Sequence, residues 1–199
     1  MTVEELPDDL SNLFRENFQL DQEQLAVIAD KFVPTRLDKK DFYLKQGDIA
    51  RSKAFLVKGA VRYFYLDSNL KENTLFFRFE NSWLGDIESY HGQIPAKINI
   101  QALEDSELLV ISKADFSNLQ QQLPALEKWY AINAVRMYAS LFNKLVEAKL
   151  RTPEEKYLHL LQNEPRIFQR VSLQHIAAYL EIEPQSLSRL RRRLAKPDK

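Results

Sequence analysis

The residues best suited by type and spacing to chemical recognition lie near the C-terminus, in Pro184-Gln185-Ser186-Leu187-Ser188-Arg189-Leu190 and the Arg191-Arg192-Arg193 that follows. Arginine and glutamine carry planar groups that bond two atoms at once. A guanidinium such as that of Arg189 fits guanine O6 and N7, and an amide such as that of Gln185 fits adenine. Ser186 and Ser188 offer hydroxyls to phosphates or base edges, and Arg191, Arg192, Arg193 and Lys196 offer charge to a phosphate backbone. The stretch before them, Val171 to Ile182, has the marks of a short helix and a tight turn. Ser172 is its N-cap, and Glu183 followed by Pro184 at the first helical position starts a second helix. Ile176, Leu180, Ile182, Leu187 and Leu190 fall where the two helices must face each other, and Ala177 falls where they cross. The pattern predicts a helix-turn-helix whose second helix enters the major groove of DNA. Glu181 stands where the turn usually has glycine, at a cost of about 1–2 kcal/mol for a left-handed backbone. The competing reading, a helical hairpin that only packs on its neighbours, leaves four arginines on the last helix without a purpose.

Such a motif needs a body to carry it. Leu10 to Phe32 has helical spacing, with a second start at Asp21 and Gln24 arranged as cap and N3 partner. From Val33 to about Ile111 the period shifts to alternation. Phe55–Val57, Val61–Leu66, Thr74–Phe79, Ile98–Ala102 and Glu107–Ile111 are β-rich runs separated by turn signals at Gln46-Gly47-Asp48, Lys58-Gly59, Asp67-Ser68-Asn69, Glu80-Asn81-Ser82 and Glu104-Asp105-Ser106. Short strands at this spacing predict a β-sandwich or roll. Ser112 to Asp115 reads as a helix start, and Pro124 opens the longest helical segment, running to about Lys149. One apolar stripe on it contains Leu126, Tyr130, Ala134, Met137, Leu141 and Ala148; a second contains Val135, Tyr138, Phe142 and Leu145. A helix apolar on two sides must be covered on two sides: the roll can cover one, and the other is covered either by the same helix of a second copy, the simplest choice, or within the monomer. Thr152-Pro153-Glu154-Glu155 then starts a further helix that ends before Pro165.

Composition narrows the classes. With no cysteine in 199 residues there is no disulfide framework, thiolate zinc site or cysteine-ligated iron–sulfur cluster. His91, His159 and His175 are far apart, so neither a metal site nor a catalytic constellation is expected. The acidic start, and the lack of any apolar run able to span a bilayer, lead to an expectation of a cytoplasmic protein without membrane contact. The net charge is zero, yet residues 151–199 hold ten Lys/Arg against six Asp/Glu. A basic end on an acidic body fits a DNA-binding unit joined to something that does not bind DNA.

Roll, long helix and helix-turn-helix together resemble the cyclic-AMP receptor/fumarate-nitrate regulator (Crp/Fnr) superfamily of bacterial transcription factors. The likeness is carried by Lys45-Gln46-Gly47-Asp48, Phe55-Leu56-Val57-Lys58-Gly59-Ala60-Val61-Arg62, Ala102-Leu103-Glu104-Asp105-Ser106-Glu107-Leu108 and the helix-turn-helix. It implies an α+β chain: a double-stranded β-helix (jelly roll) of the cyclic-nucleotide-binding kind over residues 1–122, a dimerisation helix over 123–150 and a DNA-binding domain over 151–199. It implies a homodimer that reads a two-fold symmetric site in double-stranded DNA, with RNA polymerase as a further partner. DNA contacts fall on Gln185, Ser186, Ser188, Arg189, Arg192 and Arg193, and the dimer helix offers Leu126, Tyr130, Met137 and Leu141. The family's Arg-Glu at the first two base-reading positions is replaced by Pro184-Gln185, so its DNA consensus does not carry over.

The phosphate-binding segment departs from the pattern. Cyclic-nucleotide members pair a Gly-Glu with an Arg-Ser about ten residues later; the matching positions here are Gly85-Asp86 and Ala96-Lys97. Ala96 has no group for a phosphate, and Lys97 offers a point charge in place of a fork. The expectation is a roll that does not bind cyclic AMP and has no cofactor; Trp83, Tyr90 and His91 flank the same segment, which leaves two alternatives, a different small ligand of unknown identity or a roll packed by its own side chains. Two other functions compete: a metal enzyme of the cupin kind, which would need more histidines in the roll than His91, and a protein-interaction module of the same fold without DNA binding.

Overall fold

The computed structural model describes residues 1–18 and 20–194, with the side chains at 141, 144, 145 and 147–149 outside that description. The chain opens with a short 3₁₀ turn, Val3–Glu5, and two helices, α1 (Asp8–Phe18) and α2 (Gln22–Asp30). On α1, Leu10, Phe14 and Phe18 recur at the helical interval and are buried. The start of α2 is a capping box: the Asp21 carboxylate accepts from Gln24 N at 2.8 Å, and the Gln24 side chain accepts from Asp21 N at 3.2 Å.

Strands β1 (Val33–Leu37), β2 (Phe42–Leu44), β3 (Ser52–Lys58), β4 (Ala60–Leu66), β5 (Glu72–Phe79), β6 (Ser82–Leu84), β7 (Asn99–Ala102) and β8 (Ser106–Ser112) follow, with helix α3 (Ile87–Gly92) between β6 and β7. They form two four-stranded sheets, ordered β1-β8-β3-β6 and β2-β7-β4-β5. β8 lies antiparallel between β1 (Val33 opposite Val110) and β3 (Phe55 opposite Leu109), and β3 continues to β6 (Phe55 opposite Trp83). Neighbours in these sheets are seldom neighbours in sequence, as in a jelly roll. Then come α4 (Lys113–Gln122), capped by Ser112 Oγ on Asp115 N at 3.0 Å, the long α5 (Pro124–Leu150), α6 (Pro153–Asn163), the short α7 (Ile167–Arg170), α8 (Leu173–Tyr179) and α9 (Pro184–Leu194).

The chain divides into two compact units. The first comprises residues 1–63 with 77–138; the second comprises 64–76 with the chain from Ala139 onward. The main core of the first unit lies between its helices and the β1-β8-β3-β6 sheet. Leu10 and Phe14 of α1, Leu25 and Ile28 of α2, Phe55 of β3, Ile111 of β8, Leu119 of α4 and Leu126 of α5 are all buried in it. The edge strands β1 and β2 and the three-residue β6 lie outside the β-rich runs expected from alternation. In β1 four of the five side chains are exposed, so no alternating pattern marks it.

The turn from β3 to β4 depends on Gly59. Its φ is +112°, and a Cβ there would lie 2.1 Å from Ser106 Oγ and 2.8 Å from Ser106 Cα. Its N–H is held by Glu80 Oε1 at 3.0 Å. Any side chain must meet both a strained backbone and the facing strand. Gly59→Ala is expected to destabilise the protein by about 2–5 kcal/mol, the sum of left-handed strain and overpacking, measured as a lower midpoint of urea unfolding with an unchanged slope.

Candidate functional site

The C-terminal motif is built by local rules. Ser172 Oγ accepts from His175 N at 3.3 Å to start α8. The helix stops in a Schellman arrangement, in which Ile182 N donates to Ala177 O at 3.0 Å and Glu181 N to Ala178 O at 3.2 Å. The residue between, Glu181, has φ +58°, the left-handed conformation expected for that turn. Ile176, Ala177, Leu180 and Leu187 are fully buried, so α8 and α9 close on each other through these side chains.

Helix geometry then sorts the polar residues of α9. Successive residues turn by about 100°. Leu187 is buried and Leu190 half-buried, which defines the inward direction. Gln185, Ser188, Arg189 and Arg192 all fall within about 50° of the opposite direction, and all four are exposed. Ser186 is half-buried to one side, where its Oγ accepts from Arg189 Nη2 at 3.4 Å. Arg193 also turns to that side and pairs with Glu154 in the first turn of α6. α6 itself begins at the expected cap, with Thr152 N donating to Glu155 Oε2 at 2.7 Å.

On α5 the two stripes have different surroundings. Leu126 is buried in the core of the first unit, and Tyr130 is half-buried against Phe116 and His91. Met137 is half-buried, and the side chain of Leu141 lies outside the described residues. Leu126 and Tyr130, expected on a dimer face, are therefore turned toward their own unit. Val135, Tyr138 and Phe142, on the other stripe, are 69%, 70% and 53% exposed.

In the roll, the four positions of the phosphate segment are committed to partners within the chain. Gly85 N donates to the buried Tyr63 hydroxyl at 3.1 Å. Asp86 Oδ1 accepts from Ser89 N at 3.1 Å and so caps α3. Ala96 is buried, its N–H on Asp48 O and its carbonyl accepting from Gly47 N, both at 2.8 Å. Lys97 Nζ donates to Glu88 Oε1 at 2.9 Å on the surface. A cavity of about 400 Å³ lies alongside, lined by Tyr43, Asp48, Ile49, Ala50, Arg51 and Ser52. Tyr43 hydrogen-bonds Ser52 Oγ at 3.0 Å, and burial pushes its phenol up to about 12. Tyr63 is raised for the same reason and feels the opposing charges of Arg78 and Asp86. Nothing in the local sequence marks Tyr63 or Arg78 as part of this region, whereas Lys53 stands out as a lysine next to the apolar run Ala54-Phe55-Leu56-Val57. Among the described residues there is no group of three His, Cys, Asp or Glu side chains able to hold a metal ion. No helix among them is long and apolar enough to cross a membrane.

Comparison with known proteins agrees with this architecture. Residues 34–122 match the family model described as the cyclic nucleotide-binding domain. No curated protein matches the sequence. Among solved structures, the chain is similar to the c-di-GMP responsive global regulator CLP of Xanthomonas campestris, with a TM-score of 0.69 and 18% identity over 87% of this chain and 91% of that one. FixK2 of Bradyrhizobium japonicum gives 0.66 and 16% over 82% and 84%. A protein of Eubacterium rectale described as a transcriptional regulator of the crp/fnr family gives 0.68 and 16% over 88% and 84%. The fold is thus a cyclic-nucleotide-binding-type roll followed by a helical C-terminal segment. More particularly, it is the fold shared with these three solved structures.

Proposed function

We propose that this chain is a sequence-specific, DNA-binding transcription regulator that acts as a homodimer, and that its roll does not take cyclic AMP. The observation that carries the reading is the outward arc of α9. Gln185, Ser188, Arg189 and Arg192 project together from a helix whose opposite side is anchored by Leu187, an arrangement suited to the major groove. In this reading residues 1–122 are the sensor, 123–150 the dimerisation helix and 151–199 the DNA-binding segment, a binding protein of the cytoplasm rather than an enzyme, with RNA polymerase as its further partner.

A second copy is the occupant that suits α5. Ile132, Val135, Tyr138, Phe142 and Val146 follow one another at intervals of three or four and are exposed. That spacing forms a seam that a second helix of the same kind can fill. A two-fold pairing is self-complementary, and it would present two recognition helices to two half-sites. The commitments of Gly85, Asp86, Ala96 and Lys97 support a roll without a cyclic-nucleotide phosphate site. The neighbouring cavity at Tyr43 and Ser52 is the place for a different small effector.

Three measurements test these parts separately. Calorimetry with cyclic AMP and cyclic GMP is expected to give no saturable binding at micromolar concentration, and a micromolar dissociation constant would overturn that part of the reading. Light scattering is expected to show a dimer, which Val135→Glu or Tyr138→Glu converts to monomer; a wild-type monomer at high concentration would remove the dimer.

For DNA, a site selected from random duplexes serves as operator. Arg189→Ala is expected to cost about 1–3 kcal/mol on the operator and to relax preference at one base pair, with little change in salt dependence. Arg192→Ala is expected to weaken operator and random duplex alike and to make the salt dependence shallower by about one unit per subunit. Equal losses on both DNAs for Arg189→Ala would displace it from the base-reading position.

A further inference from the structure

Lys53 lies on β3 in the first unit. Only 8% of its surface is exposed, and its Nζ has no hydrogen-bond partner among the described residues. It sits instead among three aromatic rings from three helices: 3.5 Å from the Tyr130 centroid on α5, 4.3 Å from Phe116 on α4 and 4.4 Å from Tyr90 on α3. The Tyr90 hydroxyl is likewise buried without a partner among the described residues. A buried ammonium without an acceptor is costly, and ring faces return only part of that cost. We propose that Lys53 and this ring of aromatic side chains form a proton-operated latch, which holds the first turns of α5 to the β3 face of the roll while the amine is neutral and releases them when it takes up a proton.

The position of Tyr130 gives the latch something to hold. Leu126 is buried, Trp129 and Tyr130 are half-buried, and Trp129 packs edge-on to Phe18 at 5.6 Å. Beyond Asn133 the exposed residues predominate, so the fastening of α5 to its own unit is concentrated in its first turns. The charged and titratable groups facing Lys53 come from each neighbouring helix. On α3, His91 Nε2 lies 2.9 Å from the Tyr130 hydroxyl, and burial and the charges of Lys53 and Lys113 hold His91 below its ordinary range. At the start of α4, Lys113 donates to Tyr90 O at 2.8 Å and adds a like charge. On α5, Glu127 favours the ammonium from a distance, while accepting from Gln120 Nε2 at 2.6 Å. Burial outweighs Glu127 and pulls Lys53 down to about 7.

The sign follows from linkage. The closed cage binds the lysine proton less tightly than a released state in which the amine reaches water and titrates near its ordinary 10.5. Between about 7 and that value, each unit of falling pH shifts the balance about tenfold toward release; below about 7 both states are protonated and the balance is level.

Hydrogen exchange of the full chain, followed in residues 124–134 from about pH 6 to 9 and corrected for intrinsic exchange, tests the latch. In the wild type, protection is expected to rise with pH above about 7, by up to about tenfold per unit. In Lys53→Met, which keeps the bulk and loses the proton, it is expected to stay level. His91→Gln is expected to keep the wild-type rise. A rise that persists in Lys53→Met, or one lost with His91→Gln, would overturn the proposal. Titration of the Lys53 amine by nitrogen NMR in the wild type needs no variant to fold: a midpoint near neutrality supports the latch, and one in the ordinary lysine range overturns it.

Discussion

Much of the first unit depends on β3 being buried on both of its faces. It runs between β8 and β6, and from Lys53 to Leu56 every side chain is buried. Lys53 meets the rings of α3, α4 and α5, while Phe55 packs into the core formed with α1, α2 and α4, edge-on to Trp83 at 5.6 Å. A strand in this setting can carry a polar side chain only where something answers it. Ser52 at its start is answered by Tyr43, and the β3–β4 turn is answered by Glu80 on the Gly59 N–H. Among the described residues, Lys53 has only ring faces. The helices packed on this side therefore meet a cation whose charge depends on pH, at the point where α5 begins.

The same economy accounts for the phosphate segment. A cyclic-nucleotide site needs a backbone amide, a carboxylate and a guanidinium left available for a ligand. Here the amide of Gly85 is satisfied by Tyr63, the Asp86 carboxylate caps α3, and Lys97 is held by Glu88. Arg62, the buried guanidinium of β4, gives Nε and Nη2 to Gln101 Oε1 at 2.9 and 2.6 Å, and Gln101 passes a hydrogen bond to Lys40 O at 2.8 Å. A phosphate entering this segment would have to displace internal partners as well as water.

What could be read from sequence alone follows from where local chemistry is sufficient. The caps at Asp21, Ser112, Thr152 and Ser172 were legible because each rests on a residue three positions from its partner. The strands β3, β4, β5 and β8 were legible from their apolar runs. β1 was not, since its sides are mostly exposed and Pro34 lies within it; β2 and β6 have three residues each; α3 is a six-residue helix between turns. Helical periodicity found both stripes of α5, but the stripe of Leu126 and Tyr130 was expected on the dimer face, whereas it is the one turned toward its own unit. That choice depends on Tyr90 and Phe116 approaching Tyr130 from distant parts of the chain, and the same convergence hid Lys53.

The helix-turn-helix shows how a local penalty persists when packing over-determines it. Glu181 takes a left-handed backbone that costs about 1–2 kcal/mol. Around it, Ile176, Ala177, Leu180 and Leu187 are fully buried, and two backbone hydrogen bonds close the end of α8. Burying even one leucine-sized side chain contributes about 1.5–3 kcal/mol, so the turn stays in place without glycine. With the turn fixed, the roll angle of α9 is fixed as well, and that angle limits the arginines. Arg191, Arg192 and Arg193 step by about 100° each and cannot share one direction. Arg192 falls at the centre of the outward arc beside Gln185, while Arg193 is carried around to Glu154. Gln185 and Arg189 stand one turn apart on the same arc, which is the spacing that the proposed reading of neighbouring base pairs requires. The remaining basic charge is spread over the flanks of that arc, which in the proposed reading face phosphates rather than bases.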